Sequence, residues 1–256
     1  METHTLGSEG GPGKRTNGNT GTAPGAYLTS GLYHHALYHY ARAVELATEA
    51  GDPYCQATAL GYAGMATAEH GHPNDGLKMT QAAQVAAWDI PPDDQWAVVV
   101  GESGKAAVEA TLLADSATAL ALLGEHAEAG RAVARGRDLW TPTPADPFGD
   151  PDRNAARLEL GRGRLDVAET LVVTSLRRWE GGRQISRTQT GVVLATIHVT
   201  AGEPRGLTLA HNVITGVARL GSVRVRSQLT PLAEALEARL SSDAKDLART
   251  ARQIAA

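Results

Sequence analysis

The chain has 256 residues, 42% of them apolar but only 4% aromatic, and a net charge of −4. An interior built from Ala, Leu and Val suits closely packed helices and disfavours a sandwich or barrel, whose strands draw on aromatic and β-branched residues. A single cysteine, Cys55, excludes an intrachain disulfide and a cysteine-based zinc site, and no run approaches the roughly 18 apolar residues of a membrane span.

Residues 1–26 hold seven glycines and almost nothing apolar. Such a segment cannot bury enough surface to offset its ordering entropy, so 1–30 is expected to be a disordered tail. Met1 to Gly13 lacks the basic start and apolar run of a signal peptide, and a cytoplasmic protein with no membrane partner is expected. Residues 31–256 read as one helical-repeat domain. A helical stripe from Leu32 closes at Ala50-Gly51-Asp52, and Pro53 to His70 follows. After Gly71, Asn74 to Trp88 gives the second helix of an antiparallel hairpin. An insertion near 89–104 comes next. Leu112 to Leu123 and Ala127 to Trp140 then flank Gly124. Asp152 to Leu160 and Leu165 to Trp179 flank Gly163, and Ser186 to Thr200 and Leu207 to Leu220 flank Gly202. Val223 to Leu240 and Ala244 to Ala255 close an array of ten or eleven helices. The run Val192 to Val199 would pass locally for a strand; repeat phase makes it helix.

The marker glycines Gly124, Gly163 and Gly202 are 39 residues apart, and Gly71 precedes Gly124 by 53. Seven residues before each marker stand Gly64, Ala117, Ala156 and Ala195, all small. Five residues after them stand Gly76, Ala129, Ala168 and then Leu207, which breaks the series. Trp88, Trp140 and Trp179 recur near the second-helix ends and are expected in the core. Columns of this kind mark stacked helical hairpins.

The small–Gly–Ala spacing resembles the tetratricopeptide repeat over roughly residues 53–221, although the period is longer and most aromatic consensus positions are unfilled. Ala47-Thr48-Glu49-Ala50-Gly51-Asp52 and the segment from Ser222 through Leu236 are similar to the C-terminal sensory region of actinobacterial XRE-type helix-turn-helix transcriptional regulators. That resemblance implies a right-handed α-solenoid and a role in bacterial regulation or signalling. No helix-turn-helix pattern fits before Leu32, so DNA binding is not carried over.

No catalytic set emerges. Val99 and Ala106 stand where a P-loop around Gly104-Lys105 would need Gly and Ser or Thr. Cys55 has no acidifying neighbour in sequence and reads as a structural thiol. His35 and His39, one turn apart, are weak metal candidates that need a third ligand, with Glu69, His70 and His72 within conceivable reach. No cofactor is expected.

The basic residues offer more. Residues 1–128 carry 5 Lys+Arg against 15 Asp+Glu, while residues 129–256 carry 19 against 13. A basic half can face an anionic partner or the acidic half of a second copy, so a homodimer stays open. In tetratricopeptide arrays the first helices line the concave face, and Arg153, Arg157, Arg183, Arg187 and Arg224 are the groove candidates that the resemblance implies. Their guanidinium forks would hold the carboxylates of a peptide or protein segment. Direct nucleic-acid binding is not expected, because the arginines lack interleaved aromatics. The other open reading is a small-molecule or metal sensor with its ligand between hairpins.

Overall fold

The computed structural model describes residue 27 and residues 30–91, 104–140, 150–178, 184–220 and 222–256. The expected tail (apart from Tyr27 and Ser30), most of the insertion, Trp179 and Arg183 lie outside the described residues. Among the described residues there are twelve helices and no strand. They are α1 (Tyr33–Ala50), α2 (Pro53–Glu69), α3 (Pro73–Trp88), α4 (Lys105–Leu122), α5 (His126–Leu139) and α6 (Pro151–Gly161). Then follow α7 (Leu165–Arg178), α8 (Gln184–Thr200), α9 (Arg205–Leu220), α10 (Val223–Ser227), α11 (Thr230–Glu237) and α12 (Ser242–Ala255). Val192 to Val199 is helical, inside α8. The expected helix Val223 to Leu240 is split in two just before Pro231, which has no N–H to continue the ladder. No described helix is long and apolar enough to cross a membrane.

Helices adjacent in sequence pack as neighbours, giving an α-solenoid of antiparallel hairpins. The marker glycines explain the tight turns. Gly71, Gly124, Gly163 and Gly202 have φ of 91°, 82°, 74° and 78°, a left-handed conformation that other residues adopt only with strain. The small-residue columns meet where the two helices of a hairpin cross. A Cβ built on Gly76 would lie 2.5 Å from the Gly64 carbonyl oxygen. In the fourth hairpin the break at Leu207 is a shift by one residue. Gly206 is buried in its place, and a Cβ there would lie 2.8 Å from the His198 backbone.

The tryptophan column is not a core column. Trp88 is 69% exposed, and Trp140 is half-buried beneath the Arg178 guanidinium, 4.5 Å from the ring centroid. Both stand at second-helix ends, beyond the buried crossing of the hairpin. The core consists instead of Ala, Val and Leu, densest where α8, α9, α11 and α12 meet around Ile214, Leu229, Leu232 and Leu236.

The first helices form an inner layer in which α2 packs on α4, α4 on α6, α6 on α8, and α8 on α11. This layer curves until its ends meet. Arg224 of α10 donates from Nε and Nη2 to the two carboxylate oxygens of Glu69 on α2, at 3.1 and 3.2 Å, across 155 positions. A Cβ on Gly31 would likewise lie 3.3 Å from the Val223 side chain. The curl turns an open groove into a cup.

Candidate functional site

A cavity of about 450 Å³ opens on the concave side, in the range of ordinary ligand pockets. Each inner helix gives it one stripe at helical spacing: Tyr62, Met65 and Glu69 from α2, and Thr111, Asp115 and Thr118 from α4. From α6 come Arg153, Asn154, Arg157 and Leu160, and from α8 Ser186, Gln189, Val193 and Thr196. Arg224 and Gln228 close the end.

The placement of α6 depends on its N-terminus. Asp150 is the N-cap and accepts from the Asp152 amide at 2.9 Å, with Pro151 as the first helical residue. Both aspartates are buried, and both are paired. Arg178 of α7 reaches Asp150 at 3.2 Å and Asp152 at 2.5 Å, and Arg137 of α5 donates to Asp152 at 2.7 Å. Arg178 is therefore a structural cation that fastens the start of α6 to its hairpin partner α7, while Arg137 ties it to α5 of the preceding hairpin.

One turn further along, α6 presents Arg153 and Arg157 to the cavity. The Arg153 guanidinium donates to Oε1 of the buried Gln189 at 3.0 Å, which fixes its direction, but no described carboxylate lies within ion-pair distance. Burial pulls Arg153 down to about 10, with Arg157 and Arg224 adding repulsion against the opposing fields of Asp150 and Glu69. Arg157 is exposed at the cavity mouth. Among the described residues it has neither a hydrogen bond nor an ion pair. It also borders an adjoining pocket of about 230 Å³, lined by Ala117, Leu122, Val133 and Leu158. The cavity thus offers two cations with no described carboxylate within ion-pair distance, beside an apolar recess.

Asp115 was not legible as a site residue. It is 8% exposed, faces the same cavity, and no described donor bonds its carboxyl. Burial pushes it up to about 7, against the lowering fields of Arg224 and Arg153, while Glu69 adds to the rise. The signal in sequence was a charge in the middle of the apolar run Leu112-Leu113-Ala114-Asp115-Ser116-Ala117. Glu69 behaves differently. Burial raises it, but the field and hydrogen bonds of Arg224, with Arg157 and His70 assisting, outweigh this and hold it below the usual carboxylate range. Arg224 is correspondingly committed to Glu69, with Nη2 also 2.8 Å from Met65 Sδ.

The candidate arginines therefore divide. Arg153 and Arg157 line the cavity unpaired with any described carboxylate, and Arg224 lines it as half of an ion pair. Arg187 is exposed on α8 outside the wall, and Arg183 lies outside the described residues. His35 and His39 lie under the Tyr27 ring, with centroids 5.9 and 4.9 Å away, and no third described ligand joins them. Cys55 is half-buried in the first turn of α2. A His–Glu grouping that the sequence did not suggest, Glu169, His198 and Glu203, has its ligand atoms within 4.8 Å of one another. Its centre is already claimed by Arg205, which donates to Glu203 at 2.6 Å and to Glu169 at 2.9 Å. That arrangement is an ion-pair network joining α7, α8 and α9. No protein-family model matches the chain, and no curated protein matches it.

Proposed function

We propose that this chain is a non-catalytic helical-repeat scaffold that binds a peptide or protein segment in its concave cavity. Arg153 and Arg157 take a carboxylate of that segment. One observation carries the reading: two guanidiniums face a 450 Å³ cavity without a described carboxylate for either. A protein does not hold like charges together in a partly dry site without cost, and an anionic occupant removes that cost. Arg–carboxylate pairs are also the geometry in which guanidinium forks are strongest. The recess beside Arg157 would receive an apolar side chain next to the carboxylate.

The smallness of the cup supports a second reading with the same chemistry, a small carboxylate-bearing molecule sensed between hairpins. A role in bacterial regulation or signalling rests on the sequence resemblance alone and belongs to this proposal.

Equilibrium dialysis separates these ideas from an inert groove. The probe is a tripeptide pool of uncharged residues, so that only the termini are charged. The free-terminus pool is expected to be retained by the wild type. Retention should fall at least tenfold on C-terminal amidation, and equally in an Arg153→Ala/Arg157→Ala double variant, about the loss when a charged hydrogen-bonding partner is removed. Equal retention of free and amidated pools would remove the anion-binding reading. Retention of small dicarboxylates such as succinate, without the peptides, would favour the small-molecule alternative.

A further inference from the structure

Resting on that reading, we infer that Asp115 is a second recognition group. The cavity selects an amphoteric ligand, with its carboxylate on Arg153 and Arg157 and an ammonium or other N–H donor on Asp115. Asp115 is a buried residue whose carboxyl has no described donor, and it lines the same cavity as Arg153 and Arg157.

The charge inventory of the wall points the same way. Arg224 is committed to Glu69 by two hydrogen bonds. That leaves two cations from α6 and one carboxyl from α4, on separate inner helices. A purely anionic occupant would neutralise the arginines but press a second negative charge against Asp115. An occupant carrying both signs meets both walls. A peptide with free termini is the simplest molecule of that kind, and a cup of 450 Å³ suits one only a few residues long.

The groups facing Asp115 are Glu69 from α2, Arg153 from α6 and Arg224 from α10, and burial outweighs them in raising its affinity for a proton. A ligand ammonium would replace that proton. Capture of the amphoteric ligand therefore strengthens as pH rises from 6 to about 7.5, above which the ligand's own α-ammonium loses its proton, whereas capture of an anion-only ligand weakens throughout.

The test uses the same neutral-residue tripeptide pool with its N-termini free or acetylated, in equilibrium dialysis at pH 7.5, on the wild type and on Asp115→Asn. Acetylation is expected to cut retention by the wild type at least tenfold. Asp115→Asn should lose the free-amine pool to a similar degree while holding the acetylated pool as well as the wild type does, or better. Equal retention of free and acetylated pools by the unaltered protein would overturn the role of Asp115, and that arm requires no variant to fold. Equal retention of the C-amidated pool would instead overturn the arginine site, so the two failures are distinguishable. Failure of the wild type to retain the free-terminus pool would overturn the peptide reading and the role of Asp115 together.

Discussion

The N-terminus of α6 and its inner face hold the same kind of cation in opposite states. At the N-terminus, Arg178 and Arg137 lie on two aspartates whose side chains are 0% and 4% exposed. On the inner face, Arg153 has one amide partner and Arg157 has none among the described residues. The spacing of arginines along the chain does not distinguish the two sets. Their partners do. A guanidinium that completes a buried carboxylate is part of the scaffold, and one facing an empty wall is available to a ligand.

The sharpest way to break this contrast is to remove the satisfied cation. Arg178→Ala removes this cation from both Asp150 and Asp152. It should lower the unfolding free energy by about 3 kcal/mol, measured by urea denaturation, because two buried carboxylates lose a shared guanidinium. A loss below about 1 kcal/mol would place this cluster with ordinary surface pairs.

A smaller effect of opposite sign is expected at the cavity wall. Asp115 binds its proton more tightly in the folded chain, at about 7, than an exposed carboxyl does. Its contribution to stability is therefore full below the unfolded-state value near pH 4 and is lost as pH rises through about 7. Asp115→Asn should remove this slope and raise stability at pH 8 by on the order of 2 kcal/mol. Thermal unfolding from pH 5 to pH 8 checks both the slope and its sign. The smallest effect belongs to Arg157→Ala, which should change stability by less than about 0.5 kcal/mol, as an unpaired exposed side chain should.

The parts of the fold written in local rules were legible in the sequence. Gly71, Gly124, Gly163 and Gly202 could be found because a left-handed turn demands glycine wherever it occurs. The small columns were visible because close helix crossing excludes side chains at fixed offsets from that turn. Gly206 was hidden by a one-residue shift that only the crossing itself reveals. Trp88 misled for a related reason: periodicity says that residues share a row, not which row a neighbouring helix covers. Of the site, Arg153 and Arg157 were legible as a one-turn pair on a first helix. Asp115 was not, since packing decides which face of α4 lines the cavity, and the contact of Arg224 with Glu69 was not, since it joins positions 155 apart.

The division of labour on α6 can be tested in one titration. Urea-unfolding free energies are measured for the wild type, Arg178→Ala and Arg153→Ala/Arg157→Ala, each with and without the free-terminus tripeptide pool. A ligand that binds only the folded state adds to stability by mass action. Arg178→Ala should be less stable yet keep the ligand-induced increment, whereas the double variant should stay nearly as stable as the wild type and lose it. The reverse pattern, an increment surviving in the double variant and vanishing in Arg178→Ala, would contradict the account.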